Sequence, residues 1–201
     1  MRLCGVDYGS KLAGTTVVCT LDATLDAPTG DVHFQKSAPR EDADAFLRNY
    51  LRQSGPAFLF LDAPLSLPGV YRGLPGCRDY FYREADRQLG AMSPMFLGGL
   101  TARAMQLEDT LRQNGLVVHE TYPAAQARRL NLHAVGYKQD PAALGPVLGQ
   151  IQQNHPSLCF APADLPSWHH VDALLALLAA VRFARGEHVV YGNGVEGEII
   201  V

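Results

Sequence analysis

The sequence has no Cys-x-x-Cys pair. Its four cysteines, Cys4, Cys19, Cys77 and Cys159, are scattered, which supports neither a zinc ribbon nor a dense disulfide framework. They read as reduced thiols. No apolar stretch reaches membrane-spanning length, the longest run being Ala173 to Val181. The N-terminus arrives at Asp7 and a turn before any apolar core of signal-peptide size, so a cytoplasmic location without a membrane partner is the expectation. An excess of positive charge is also missing. Lys and Arg number 17 against 20 Asp and Glu, a net charge of -3, which excludes a protein that coats duplex DNA and confines any nucleic-acid contact to a local patch. Repeats and low-complexity tracts are absent as well. What is present is 201 residues, 47% of them apolar and 18% charged, the composition of a single globular domain. At this size folding buries about 70% of the unfolded chain's surface, and two full lobes are not expected.

The pattern along the chain alternates strand and helix. Leu3 to Tyr8 is a short apolar run ending in a turn, and the β-branched run from Gly14 to Leu21 follows closely, so the two predict a hairpin. Val32 to Ser37 alternates apolar and polar residues, as an edge-like third strand does. Ala43, Phe46, Leu47, Tyr50 and Leu51 recur at helical spacing, stopped by Gly55-Pro56. Ala57 to Asp62 is apolar on both faces, which a strand inside a parallel sheet requires. Gly and Pro recur through a loop-rich insertion at about 64–100. A helix from about Thr101 to Asn114 then leads into a buried strand, Leu116 to Glu120. The rest is mainly helical, with Ser167 as N-cap of a long apolar helix and Glu196 to Val201 as a terminal strand. An antiparallel hairpin joined to strands that return through helices makes a mixed sheet in an α/β layer fold.

Three buried strands end in an acid: Asp7, Asp62 and Glu120. Parallel neighbours gather such residues at the carboxyl edge of the sheet, where open α/β sheets place their ligands. Asp172, early in the apolar helix, offers a fourth. Either Asp alone is better accounted for by strand-end turn capping. Glu is a poorer turn former, and three acids on three strands plus one on a buried helix face favour a shared site. Crowded carboxylates repel, and hard divalent cations relieve that repulsion, so Mg²⁺ or Mn²⁺ is the implied cofactor.

These residues also carry a family likeness. Gly5 to Gly14, Gly-Val-Asp-Tyr-Gly-Ser-Lys-Leu-Ala-Gly, resembles the opening strand-turn-strand of the ribonuclease H-like superfamily, and of Holliday-junction-resolvase-like proteins in particular. Asp62-Ala-Pro-Leu-Ser-Leu-Pro, Arg83-Glu-Ala-Asp86-Arg87, Glu120-Thr-Tyr-Pro123, His170-Val-Asp172-Ala and the ending Glu196-Gly-Glu-Ile-Ile resemble the predicted-nuclease family called domain of unknown function 429. The resemblance implies a single domain, 1–201, built on a five-stranded mixed sheet, with acids of the first strand, the fourth strand and the last large helix binding two metal ions for phosphodiester hydrolysis. On that pattern Asp7, Glu120 and Asp172 are the metal ligands, and Asp62 competes with Glu120 for the central place.

Further candidates surround the acids. His169 lies three residues before Asp172 on the same helix face and is placed to shuttle a proton, or simply faces solvent at the helix start. Ser10 and Lys11 follow Asp7 in a turn that touches phosphate or is merely solvated. Arg87, from the family likeness, and Lys138 are candidate phosphate contacts; the segment Tyr71 to Arg87 mixes arginines with aromatics as nucleic-acid binders do, but its own acids leave a net charge of only one. Two rival functions stand beside the nuclease. One is a phosphotransferase or ATPase of the actin and sugar-kinase type, opposed by a length that allows one lobe. The other is a non-catalytic domain binding nucleic acid or protein.

Overall fold

A computed structural model describes residues 1–23 and 29–201. Strands β1 (Arg2–Asp7) and β2 (Val17–Asp22) pair antiparallel, with Asp7 opposite Val17. The second strand begins three residues later than its sequence suggests because Gly14 is left-handed, with φ 67°, and lies so close to Pro39 that a Cβ there would approach the Pro39 nitrogen to 2.6 Å. Strand β3 (Gly30–Lys36) continues the meander. Helix α1 (Ala43–Ser54) starts at Asp42, whose carboxylate accepts from the amides of Asp44 and Ala45, and it stops at left-handed Gly55. Strand β4 (Phe58–Asp62) then enters beside β1, parallel to it. The expected insertion follows as loops and two short helices, α2 (Glu84–Leu89) and α3 (Pro94–Leu97). Helix α4 (Gly99–Gln113) leads to β5 (Val118–Glu120), parallel to β4. The remaining elements are α5 (Pro123–Arg129), α6 (Leu144–Asn154), β6 (Leu158–Cys159), α7 (Trp168–Ala184), β7 (Val190–Asn193) and β8 (Gly197–Ile200).

The result is an α/β fold with a mixed six-stranded sheet, ordered β5-β4-β1-β2-β3-β6. Five strands were expected. The sixth is the two-residue β6, which pairs with the start of β3 and is too short to leave a periodic trace in the sequence. The terminal strand forms, but in a separate hairpin with β7, tied to the main body where the Thr121 hydroxyl donates to the Ile200 carbonyl at 2.7 Å. Ser167 occupies the N-cap position of α7, yet its hydroxyl faces Nδ1 of His170 at 2.8 Å rather than a helix amide. Among the described residues no helix is long and apolar enough to cross a membrane, and all four cysteines are free thiols.

Strand alternation sorts the core into two layers. Leu3 and Phe60 face α7, together with apolar residues of α5 and α6. Cys4, Val6, Leu59 and Leu61 face the other way, against α1 and α4. Helix α7 is buried along Ala173 to Val181 on every side, since the sheet covers one flank and the smaller helices the other. Each leucine so enclosed contributes about 1.5–3 kcal/mol of transfer free energy. Gly5 sets the closeness of the contact: a Cβ there would lie 2.1 Å from the Leu177 amide nitrogen, so only glycine lets helix backbone rest on strand backbone.

Candidate metal centre

Register places the first two acids. Asp7 and Asp62 are directly opposed in the parallel β1–β4 ladder, and opposed residues project to the same face of a sheet whose strands lie about 4.8 Å apart. That face is the one α7 covers. Asp172 sits on α7 beside Ala173, whose carbonyl nearly touches Gly5, so the close helix–strand contact brings the third acid to the same point. One carboxylate oxygen from each of Asp7, Asp62 and Asp172 lies within 4.8 Å of the others. Asp7 and Asp172 are 8% and 3% exposed, and Asp62 is partly exposed at the floor of a cleft of about 440 Å³.

Three acids this close work against one another. Burial and the charges of Asp7 and Asp172 push the Asp62 carboxyl well above its ordinary value, opposed only by the positive charge of Lys138. Asp172 is raised too, by burial first, although the Lys138 ammonium at 2.6 Å and the Tyr137 hydroxyl both favour its charged form. Burial disfavours the Lys138 cation, but Asp172, Asp62 and Asp7 together outweigh that and hold its amine above the usual lysine value. Lys138 reaches the cluster from a left-handed backbone, φ 59°. His169 completes the arrangement: its Nδ1 is 2.8 Å from Asp7 Oδ2, and that hydrogen bond raises the imidazole above its ordinary value against the effect of burial. The carboxylate accepts, so Nδ1 carries the hydrogen and Nε2 is left to exchange a proton.

Glu120 is not part of the trio. It is opposite Leu61 in the β4–β5 ladder, one residue out of step with Asp62, and a one-residue offset turns the side chain to the other face. There it meets Arg83, which has no exposed surface and donates to Oε1 and Oε2 at 2.6 and 2.7 Å while also binding both oxygens of Asp86. The Leu65 amide donates to Oε2 as well, at 2.8 Å. Burial raises the Glu120 carboxyl, and Arg83 pulls it back toward its charged form. Glu120 still lines the same cleft as Asp62, as acids at one sheet edge are expected to, but it is Asp62 and not Glu120 that joins Asp7 and Asp172 in the close trio, while the Glu120 oxygens anchor the α2 segment to the sheet.

The other candidates divide. Ser10, Lys138 and His169 line the cleft with Asp62. Lys11 instead pairs with Asp42 at 3.3 Å, and its carbonyl accepts from the Ala43 amide at the start of α1. Arg87 is exposed, ion-paired with Asp79 and lying over the Tyr82 ring, so the insertion keeps that charge for itself. Two groups escaped the sequence reading. Tyr137 orients Asp172, and Tyr8 with Asp44 and Arg103 braces the turn after β1, Arg103 donating to the Gly9 carbonyl at 3.2 Å. Adjacency to Asp7 and to Lys138 was the only signal either offered.

Fold and cleft together define an α/β protein with a carboxylate cluster at the carboxyl edge of its sheet. Neither a family model, nor a curated protein, nor a solved structure matches the chain.

Proposed function

We propose that the protein is a metal-dependent phosphodiesterase of the ribonuclease H-like type, a cytoplasmic nuclease using Mg²⁺ or Mn²⁺, in keeping with its resemblance to the domain of unknown function 429 family. The observation that carries this reading is the convergence of Asp7, Asp62 and Asp172 within 4.8 Å. The donor set is all hard carboxylate oxygen, and Asp62 meets repulsion from its neighbours, which suits a hard divalent cation and two of them best. When bound, such ions supply Lewis acidity and an activated water for hydrolysis. The chain's own residues do the rest. Asp7, Asp62 and Asp172 would hold the ions, and Asp7 also accepts the His169 hydrogen bond. His169 takes up or returns a proton at Nε2 while Asp7 fixes its ring. Lys138 and Ser10 meet the phosphate at the cleft wall.

The test is turnover of a small activated phosphodiester with Mg²⁺ or Mn²⁺, in parallel with melting in metal-free buffer. Asp7→Asn and Asp172→Asn are expected to abolish the metal-dependent activity and to leave the metal-free melting temperature unchanged or raised, because each relieves crowding. Marked destabilisation of both variants, with no metal-induced shift in the wild-type melt, would assign these acids to structural capping and favour a non-catalytic binding domain.

A further inference from the structure

A second concave site lies away from the acids, and its charge is of the opposite sign. Helices α2, α5 and α7 and strand β7 enclose a cavity of about 480 Å³ into which Arg128, Arg129 and Arg182 are gathered with Gln88 and Tyr191. No acidic side chain lines it among the described residues, and none of the three arginines forms a salt bridge among them. Arg182 is only 6% exposed. One of its terminal nitrogens donates to the Glu187 carbonyl, but its Nε has no hydrogen-bond partner, which is costly for a buried guanidinium. Arg128 is held in place by the Leu89 carbonyl at 2.7 Å and by the Tyr122 ring. Of the acids around it, Glu84 is engaged by Gln88 and Asn193, and the charge of exposed Glu187 offsets only part of the lowering of Arg182 and His155.

We propose that this cavity is a binding site for a phosphate-type dianion. Three guanidiniums present paired N–H groups that match the oxygens of a phosphate, and a doubly charged ligand balances most of their charge. The volume exceeds what one phosphate fills, and Val189 and the Tyr191 ring add apolar surface for part of an organic body. Two groups report the field of the arginines. Burial and then the charge of Arg129 lower Arg182 below its usual value, and His155 is lowered by burial and by Arg185, Arg129 and Arg182 in turn. The inference is independent of the metal centre, because no residue lining this cavity also lines the acidic cleft.

The experiment is calorimetric titration of the wild type with inorganic phosphate and pyrophosphate at fixed ionic strength in metal-free buffer, with the His155 titration followed by NMR. Saturable binding is expected, together with a rise in the His155 pKa when the anion is bound. Arg129→Ala should weaken the affinity about tenfold, and Arg128→Ala similarly, the loss of one charge-assisted contact. Both residues are exposed, so the variants fold even where Arg182→Gln does not. Arg112→Ala, an exposed arginine of α4 paired with Asp109 and belonging to neither site, should leave the binding intact. Competition by a 5′-phosphorylated oligonucleotide would identify a nucleic-acid terminal phosphate as the source, and competition only by small phosphate monoesters would identify a small phosphorylated molecule. Absence of saturable binding, binding unchanged in Arg128→Ala and Arg129→Ala, or binding lost equally in Arg112→Ala would overturn the proposal.

Discussion

Asp62 shows how much one side chain is asked to bear. Its neighbours and its burial keep its carboxyl protonated well above 3.8, the value of a free aspartate. The folded chain then binds more protons than the unfolded one above that pH, so this group contributes stability at low pH that is lost as pH rises from about 3.8 upward. Asp62→Asn removes the loss. In metal-free buffer at pH 7 the variant should be stabilised by about 1 kcal/mol, with the advantage disappearing as pH approaches 3.8. A stabilising shift on adding Mn²⁺ should be present in the wild type and smaller in the variant. Thermal melts over a pH series decide it, and an Asp62→Asn protein less stable than wild type at neutral pH would contradict the crowding argument. The same residue marks the limit of what the sequence discloses. Both Asp62 and Glu120 end apolar strands and have the same alternation, and only the register of β5 against β4, one residue out of step, sends them to opposite faces. Register is set by contacts distant along the chain, so no inspection of either strand alone distinguishes them.

At the scale of elements, the site depends on how closely α7 lies on β1. A methyl group at Gly5 would meet the Leu177 amide nitrogen at 2.1 Å and the Ala173 carbonyl oxygen at 2.6 Å, and backbone cannot swing aside as a side chain can. Gly5→Ala is expected to cost about 1–3 kcal/mol, read from the urea midpoint. Since the displaced helix carries Asp172, Mn²⁺ affinity should fall in the same variant even though no ligand is changed. Full stability in Gly5→Ala would contradict a backbone-to-backbone contact between α7 and β1. Most elements are legible beforehand: the hairpin, the two strands apolar on both faces, the capped and terminated α1, and the apolar α7. Those that escape are decided by tertiary contact. Strand β6 exists because it meets β3 over two residues, and the terminal strand leaves the main sheet because β7 offers it a nearer partner. Arg83 and Asp86 stand three apart in plain view, but their enclosure with Glu120 requires β5 to arrive from 37 residues further along.

Taken as a whole, the molecule carries two opposed responses to pH. Burial lowers His119, His155 and His170 below 6.5, with like charges adding to it, so the folded state binds fewer protons than the unfolded one and their contribution is present above about 6.5 and lost as pH falls. The raised acids Asp62, Asp172 and Glu120 work in the other direction. His119 is the simplest to isolate, since it stacks among Phe60 and Phe183, with ring centres 5.0 and 4.6 Å away, in a setting a phenylalanine fits. His119→Phe should flatten the fall in melting temperature between about pH 7 and 5, a window beginning at the unfolded histidine value. A profile parallel to the wild type's would remove His119 from the account.

The covering of β1 and β4 by α7 has a consequence for the newly made chain. Asp62 completes the central parallel pair early in synthesis, but the helix that shields its face ends at Ala184, about 120 residues later. At roughly 5–20 residues per second, Leu3 and Phe60 wait on the order of 6–25 s at the ribosome with that side unshielded. Over that interval the nascent polypeptide presents a greasy, half-built surface, and its yield in a cell depends on the holdase capacity available to it during translation.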